Sequence, residues 1–203
     1  MTMTEIAAAY DSRAAEYIDL FGTIDQLAER DRETITTWRD ATTGRLLDAG
    51  CGPGLWSQEL TTGGVRDVVG LDASAEFVAA ARARYPDVSF QRADLAAIPL
   101  SDSSVGGILA WYSIIHTPPT ELPAILAEFV RVLTPGGSAL VGFVDGDPGE
   151  AFDHAVHTAY YWSAEALTDL LAPLGFVVEQ ASTRQDPGAR RRQGDLVATL
   201  SRL

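Results

Sequence analysis

The chain has 203 residues, a formal net charge of −13 and a single cysteine. Its length suffices for one domain with a substantial core, while its acidity disfavours nucleic acid and anionic lipid surfaces as main partners. One cysteine excludes an internal disulfide, and no apolar run approaches the roughly 20 residues that span a bilayer. The amino-terminal stretch also lacks the pattern of a signal peptide, so we expect a reducing, cytoplasmic compartment and no membrane association.

Residues 5–40 have the spacing of amphipathic helices. Apolar and aromatic side chains recur at helical intervals, at Ile6, Tyr10, Tyr17, Leu20, Ile24, Leu27, Ile35 and Trp38. A break near residues 21–22, a Phe-Gly pair, predicts two helices. We interpret residues 1–42 as a helical cap on a single domain whose core comprises residues 43–203.

From residue 44 onward, short apolar runs alternate with helical patterns. The predicted strands are RLLDAG, DVVGLD, VSFQRAD, GGILAWYS and GGSALVGFV, and the predicted helices between them are LWSQELTT, AEFVAAARARY and TELPAILAEFVRVL. Strands that alternate with crossover helices predict a parallel sheet with helices on both faces. The fold class is therefore α/β and Rossmann-like.

The carboxyl-terminal pattern differs. SAEALTDLLAPLGF predicts a helix with Ser163 as its N-cap, and two strands, FVVEQAST and DLVATLSRL, follow without a helix between them. The connecting segment RQDPGARRRQG suits a hairpin loop. The last strand is therefore predicted to be antiparallel to its neighbours.

Three consecutive predicted strands end in an acidic residue or a glycine turn. The first runs into LLDAGCGPG, where Gly50, Gly52 and Gly54 allow close approach of a ligand to the backbone. A glycine-rich turn alone is often only a packing feature. The next two strands, however, end in Asp72 and Asp94, and open α/β sheets bind ligands at the carboxyl ends of their strands. Together these ends predict a nucleotide-like ligand.

These residues resemble those of class I S-adenosylmethionine-dependent methyltransferases, in the small-molecule group that includes the ubiquinone-biosynthesis methyltransferases. LLDAGCGPG is similar to the first motif of that family, VVGLDAS to the acidic end of its second strand, QRADLAAIPLSDSSV to its adenine-contacting segment, and EFVRVLTPGGSALVGF to the segment through its fifth strand. A nicotinamide-binding protein would carry G-x-G-x-x-G instead. The resemblance implies a seven-stranded sheet of order 3-2-1-4-5-7-6.

The resemblance also implies a cofactor site for S-adenosylmethionine, with S-adenosylhomocysteine as the product and no metal. Its residues, as the motifs align, are Tyr10, Tyr17, Asp48, Gly50, Cys51, Gly52, Gly54, Asp72, Ala73, Asp94, Leu95, Ala110 and Trp111. The glycine turn would pass beneath the methionine portion, with Asp48 near its amino group. Asp72 would accept hydrogen bonds from the ribose hydroxyls, and Asp94 would accept one from the exocyclic amine of adenine.

Several of these assignments have a structural alternative. Asp48 would equally serve as a buried acid that accepts hydrogen bonds from turn amides. Cys51 suits a small buried filler, because no basic residue adjoins it in sequence to lower its pKa. The seven-residue spacing of Tyr10 and Tyr17 fits a core-facing stripe as well as a lid over the cofactor.

Candidate acceptor-binding residues follow the fourth strand and precede the last helix; they are Tyr112, His116, Tyr160 and Trp162. Imidazole titrates near neutrality, so His116 is the candidate general base, with helix capping or packing as its alternative. Aromatics before the helix would stack on a planar acceptor or plug the core. His154 and His157 lie three apart in a predicted helix, whose polar face would be solvated or, less readily, bind metal.

The sequence therefore predicts transfer of a methyl group to oxygen, nitrogen or carbon of a small-molecule acceptor. The chain contains no Asn, which excludes the N-P-P-Y form of the signature found in nucleobase amino-methylating enzymes. Two alternatives are a non-catalytic regulatory protein that binds S-adenosylmethionine and an NAD-type oxidoreductase. The expected assembly is a monomer or a homodimer.

Overall fold

The computed structural model describes residues 3–21, 28–62 and 67–201. Its helices are α1 (Met3–Phe21), α2 (Glu29–Ala41), α3 (Leu55–Thr61), α4 (Ala75–Arg84), α5 (Leu122–Val132) and α6 (Ala164–Leu171). Its strands are β1 (Leu46–Ala49), β2 (Val68–Asp72), β3 (Ser89–Arg92), β4 (Val105–Trp111), β5 (Leu133–Asp145), β6 (Ala151–Asp153), β7 (Thr158–Tyr160), β8 (Phe176–Arg184) and β9 (Arg192–Leu200).

Seven strands form one sheet in the order β3-β2-β1-β4-β5-β9-β8. With the short β6–β7 hairpin set aside, this is the predicted order 3-2-1-4-5-7-6. The first five strands pair in parallel, whereas β9 pairs antiparallel with both β5 and β8. The predicted antiparallel last strand and its hairpin are confirmed.

Alternating side chains of the strands feed two cores on opposite faces of the sheet. Leu47 of β1 packs in a core with residues of α5 and α6, while Leu46 packs in another with residues of α2, α3 and α4. This alternation is what a strand period of two dictates when both faces are covered. The predicted helices on both faces are confirmed.

The ends of two helices agree with the sequence signals. Ser163 caps α6, where its hydroxyl accepts a hydrogen bond from the Ala166 amide at 3.1 Å. Helix α1 ends at Phe21, at the predicted break. Two residues of the predicted amphipathic pattern, Ile24 and Leu27, lie outside the described residues. None of the helices in the described ranges is both long and apolar enough to cross a membrane.

The helix predicted around His154 and His157 is wrong. Residues 151–160 form the antiparallel hairpin of β6 and β7, and both histidines lie in its turn. Only Phe152 and Ala159 of the hairpin strands are buried. They pack with Ile115 in a small separate core, so tertiary contact outweighs the weak helical spacing.

Candidate active site

The glycine turn between β1 and α3 brings backbone to the edge of a cavity. Gly50 and Gly52 both have left-handed φ angles, of 83° and 52°. A Cβ at Gly50 would approach the Cβ of Ser113 to less than 3.0 Å, whereas a Cβ at Gly52 would meet no atom within 4 Å. Gly50 is therefore required by packing and conformation, and Gly52 leaves open space beside the backbone. Both residues line the cavity.

This contrast makes a testable prediction. Alanine at Gly50 must displace Ser113 in addition to adopting a left-handed conformation, so we expect it to destabilise the fold by on the order of 3 kcal/mol or more. Alanine at Gly52 meets only the conformational cost, about 1–2 kcal/mol. Urea unfolding of the two variants measures the difference; equal losses would contradict the assignment of Gly50 to close packing.

Asp72, the last residue of β2, holds the turn from the neighbouring strand. One carboxylate oxygen accepts a hydrogen bond from the Gly52 amide at 2.8 Å, and the other accepts one from the Ser74 amide at 2.8 Å. Burial raises the pKa of Asp72, and these amide hydrogen bonds oppose that rise. A carboxylate has about four lone-pair sites, more than these amides occupy, and Asp72 lines the same cavity. Hydroxyl groups of a ligand can therefore donate to it.

Asp48 and Cys51 lie deeper, outside the residues that line the cavity. Asp48 is 2% exposed and accepts a hydrogen bond from the Ser57 hydroxyl at 2.6 Å. Burial, opposed by this bond and assisted by the charge of Asp72, raises the pKa of Asp48 to about 7. Burial likewise raises the pKa of the Cys51 thiol, which packs in the core on the α2–α4 face. Cys51 thus has the environment of a buried filler.

The cavity has a volume of about 300 Å³ and lies at the carboxyl ends of β1, β2 and β4, beneath α1. It brings together eight of the predicted cofactor-site residues and two of the predicted acceptor residues: Tyr10, Tyr17, Gly50, Gly52, Asp72, Ala73, Leu95, Trp111, Tyr112 and His116. Strand ends that are distant in sequence therefore converge on one cleft, as expected for an open α/β sheet.

Helix α1 covers the cavity. The rings of Tyr10 and Tyr17 meet edge to face at 6.0 Å, and both pack against Phe77 of α4, at 5.5 and 5.2 Å. Asp11 accepts hydrogen bonds from the Ser74 hydroxyl and the Glu76 amide at the start of α4. The two tyrosines thus pack against α4 and also line the cavity.

His116 also lines the cavity, from a short 3-10 helix after β4. Its Nδ1 is 2.9 Å from the carbonyl oxygen of Thr158 in β7, and its Nε2 is 2.8 Å from the Tyr10 hydroxyl. Burial lowers the pKa of His116 to about 4. The imidazole is therefore neutral at pH 7 and is buried between α1 and the β6–β7 hairpin.

Other predicted site residues are not among those that line the cavity. The Asp94 carboxylate accepts the Ala96 amide at 2.9 Å, Ala110 and Trp162 are buried in the main core, and Gly54 packs against Phe90. Tyr160 ends β7 and does not line the cavity. Over the described part of the chain, no group of three or more His, Cys, Asp or Glu side chains is arranged to hold a metal ion.

The sequence reasoning missed three contributors. Ser113 lines the cavity with a buried hydroxyl that has no hydrogen-bond partner among the described residues. Asp11 fastens α1, and Asp31 of α2 accepts a hydrogen bond from the Trp111 side chain. Ser113 follows Tyr112, whose φ of 55° is unusual for a residue with a side chain. Asp11 and Ser113 lie in segments that contain predicted site residues, but the residues beside them in the fold, Ser74 for Asp11 and Gly50 for Ser113, are distant in sequence.

Comparison with known proteins finds similar methyltransferases. Residues 46–137 match a family described as a methyltransferase domain. A probable S-adenosylmethionine-dependent methyltransferase of Mycolicibacterium smegmatis is 38% identical over 66% of this chain and 52% of its own length. A malonyl-[acyl-carrier protein] O-methyltransferase of Erwinia billingiae is 33% identical over 70% of this chain and 54% of its own length. The chain thus spans about half the length of these relatives.

Solved structures share the fold over nearly the whole chain. The [4+2]-cyclase SpnF superposes with a TM-score of 0.83 at 18% identity, covering 100% of this chain and 98% of that one. The 1,6-didemethyltoxoflavin-N1-methyltransferase of Burkholderia thailandensis gives 0.77 at 19% identity, covering 99% and 91%. At such identities the likeness concerns the fold. Motifs, sheet order and sequence relatives together show that the chain belongs to the class I S-adenosylmethionine-dependent methyltransferase family.

Proposed function

We propose that the protein transfers a methyl group from S-adenosylmethionine to a small-molecule acceptor. The observation that carries this proposal is the single cleft in which Gly52, Asp72 and His116 meet beneath α1. The relatives named as methyltransferases support it, although the chain spans only part of their length. When bound, the cofactor supplies an electrophilic methyl group.

The residues around the cavity fit this cofactor. The open space at Gly52 admits a ligand against the backbone, and Asp72 offers acceptor lone pairs to ribose hydroxyls. The unpartnered Ser113 hydroxyl gives a further polar contact on the same wall. We assign Gly50, Gly52, Asp72, Ala73, Leu95 and Trp111 to cofactor binding, with Asp48 acting from beneath the turn.

The chain's contribution to the reaction is to orient the acceptor and exclude water. Tyr10, Tyr17 and Phe77 form an aromatic roof and wall, and Tyr112 and His116 lie towards the hairpin. A base of low pKa such as His116 removes a proton only from a group made acidic by the reaction. We therefore assign His116 primarily to acceptor binding, with proton acceptance as a late step.

We propose further that residues 1–42 act as a cap that opens to admit ligands. Asp11→Ala removes the acceptor for the Ser74 hydroxyl and the Glu76 amide, so α1 loses a tie to α4. We expect trypsin to cleave after Arg13 several-fold faster than in the wild type, because proteolysis follows the open population. Ser12→Ala is the matched control, since that exposed hydroxyl bonds only within α1. Identical cleavage rates would argue against this fastening role.

Two measurements separate the proposed activity from its alternatives. Thermal unfolding with S-adenosylhomocysteine or NADH shows which ligand binds, because a ligand of the folded state raises Tm. We expect stabilisation by S-adenosylhomocysteine alone. Transfer of a radiolabelled methyl group to a metabolite extract then distinguishes an enzyme from a regulatory binder; binding without any transfer would leave only the binder.

A further inference from the structure

One wall of the cavity contains a hydrogen bond between two side chains 106 positions apart, Tyr10 and His116. The Thr158 carbonyl can only accept, so the nearby Nδ1 of His116 carries the ring proton. The imidazole is neutral, and Nε2 therefore presents a lone pair to the cavity. The Tyr10 hydroxyl, 2.8 Å away, donates to it. Nε2 of His116 is thus a buried acceptor that requires a donor.

The hydroxyl that donates to Nε2 belongs to Tyr10 of α1, whose ring lies among other aromatic rings. The Tyr10 ring meets the His116 ring at 5.5 Å and 77°, in addition to its contacts with Tyr17 and Phe77. Ile115 and Val156 complete an apolar lining. The Tyr10 side chain is therefore itself a planar apolar ring with one hydroxyl group, and it already lies beside Nε2 of His116.

The charges around the cleft disfavour an anionic ligand. Arg13, the arginine that lines the cavity in the described part of the chain, is paired with Glu16 and also donates to the Ala155 carbonyl. Arg191, whose guanidinium lies over the Phe152 ring, donates to the Tyr161 hydroxyl and the Asp153 carbonyl. Both arginines therefore already have hydrogen-bond partners. A ligand carboxylate would also be repelled by the negative charge of Asp72 and by the lone pair of Nε2.

We propose that the acceptor is an uncharged molecule with a planar, apolar body whose hydroxyl group donates to Nε2 of His116 in place of the Tyr10 phenol. This inference rests on the proposed function, because that function makes the bound molecule the methyl acceptor. The binding preference itself does not depend on methyl transfer. Tyr10 then competes with the acceptor for Nε2, and entry of the acceptor requires Tyr10 to release His116. A ligand without a hydrogen-bond donor leaves Nε2 of His116 unsatisfied, and this difference gives the site its specificity.

Three naphthalenes with one substituent each test this preference: 2-naphthol, 2-methylnaphthalene and 2-naphthoate. Their dissociation constants are measured calorimetrically at pH 7, with and without saturating S-adenosylhomocysteine. We expect the naphthol to bind about tenfold more tightly than either analogue, since only it satisfies Nε2 without adding charge. Equal or tighter binding of 2-naphthoate or 2-methylnaphthalene would overturn the proposal.

Tyr10→Phe is the decisive variant, because it keeps the ring and removes the competing donor. We expect its affinity for 2-naphthol to rise about threefold or more, with that for 2-methylnaphthalene unchanged. His116→Phe should abolish the preference for the hydroxyl. If His116→Phe does not fold, Tyr10→Phe alone decides: unchanged naphthol affinity contradicts the proposal. The titration of S-adenosylhomocysteine into the wild type reports separately on the proposed function.

Discussion

Replacing Asp72 by alanine is expected to weaken S-adenosylhomocysteine binding by about 1.5–3 kcal/mol, the range for hydrogen bonds to a charged group. At 1.4 kcal/mol per decade this is roughly a 10- to 150-fold rise in Kd. Both carboxylate oxygens already accept backbone amides, of Gly52 and Ser74. The substitution therefore removes an acceptor for the ligand and also releases the turn from the start of α4.

Controls separate these two consequences. Asp72→Asn keeps one acceptor oxygen, so we expect an intermediate loss of affinity. Asp102→Ala removes an exposed carboxylate that pairs with Arg131 far from the turn, and it should leave Kd unchanged. Calorimetry gives Kd, and urea unfolding reports any loss of stability independently. An unaltered Kd in Asp72→Ala would remove Asp72 from the cofactor site.

The sheet and the part of the cavity formed by Gly50, Gly52 and Asp72 follow from local sequence patterns. Asp72 ends a short apolar run, and Gly50 and Gly52 directly follow another; parallel pairing of β1 with β2 then brings these ends together. Strand periodicity, crossover helices and the carboxyl-edge rule are enough for that prediction. The Ser163 cap was equally local, since its partner Ala166 lies three positions away.

The surroundings of His116 could not be predicted from local patterns. Tyr10 meets His116 across 106 positions, and Arg13 reaches Ala155 across 142. The β6–β7 hairpin has strands of three residues, too short for an alternating pattern to register. Its turn places His154 at 4.9 Å from the His116 ring, where a helix had been predicted. Only tertiary packing defines this wall.

Asp48 carries the other large expected effect, a dependence of stability on pH. Its pKa is about 7 in the folded protein, because burial opposes ionisation, and about 3.9 in an unfolded chain. Below pH 4 the carboxyl is protonated in both states. Between pH 4 and 7 the unfolded state loses its proton first, so the unfolded state binds fewer protons and stability falls as pH rises.

The loss reaches about 4 kcal/mol at most, at 1.36 kcal/mol per unit of pKa difference, and levels off above pH 7. Asp48→Asn keeps an oxygen to accept from the Ser57 hydroxyl but cannot ionise. We therefore expect the free energy of unfolding of the variant, relative to the wild type, to increase by up to that amount between pH 4 and pH 8.

Urea unfolding at several pH values, without ligand, measures this difference. Ser57→Ala is the informative comparison, because losing its hydroxyl removes a bond that favours the carboxylate and raises the folded pKa of Asp48 further; the loss of stability should still begin near pH 4 but become larger and level off at a higher pH. A constant difference between Asp48→Asn and the wild type from pH 4 to 8 would mean that Asp48 is already ionised in the fold. The acid beneath the glycine turn would then be a fixed negative charge rather than a neutral group at mildly acidic pH.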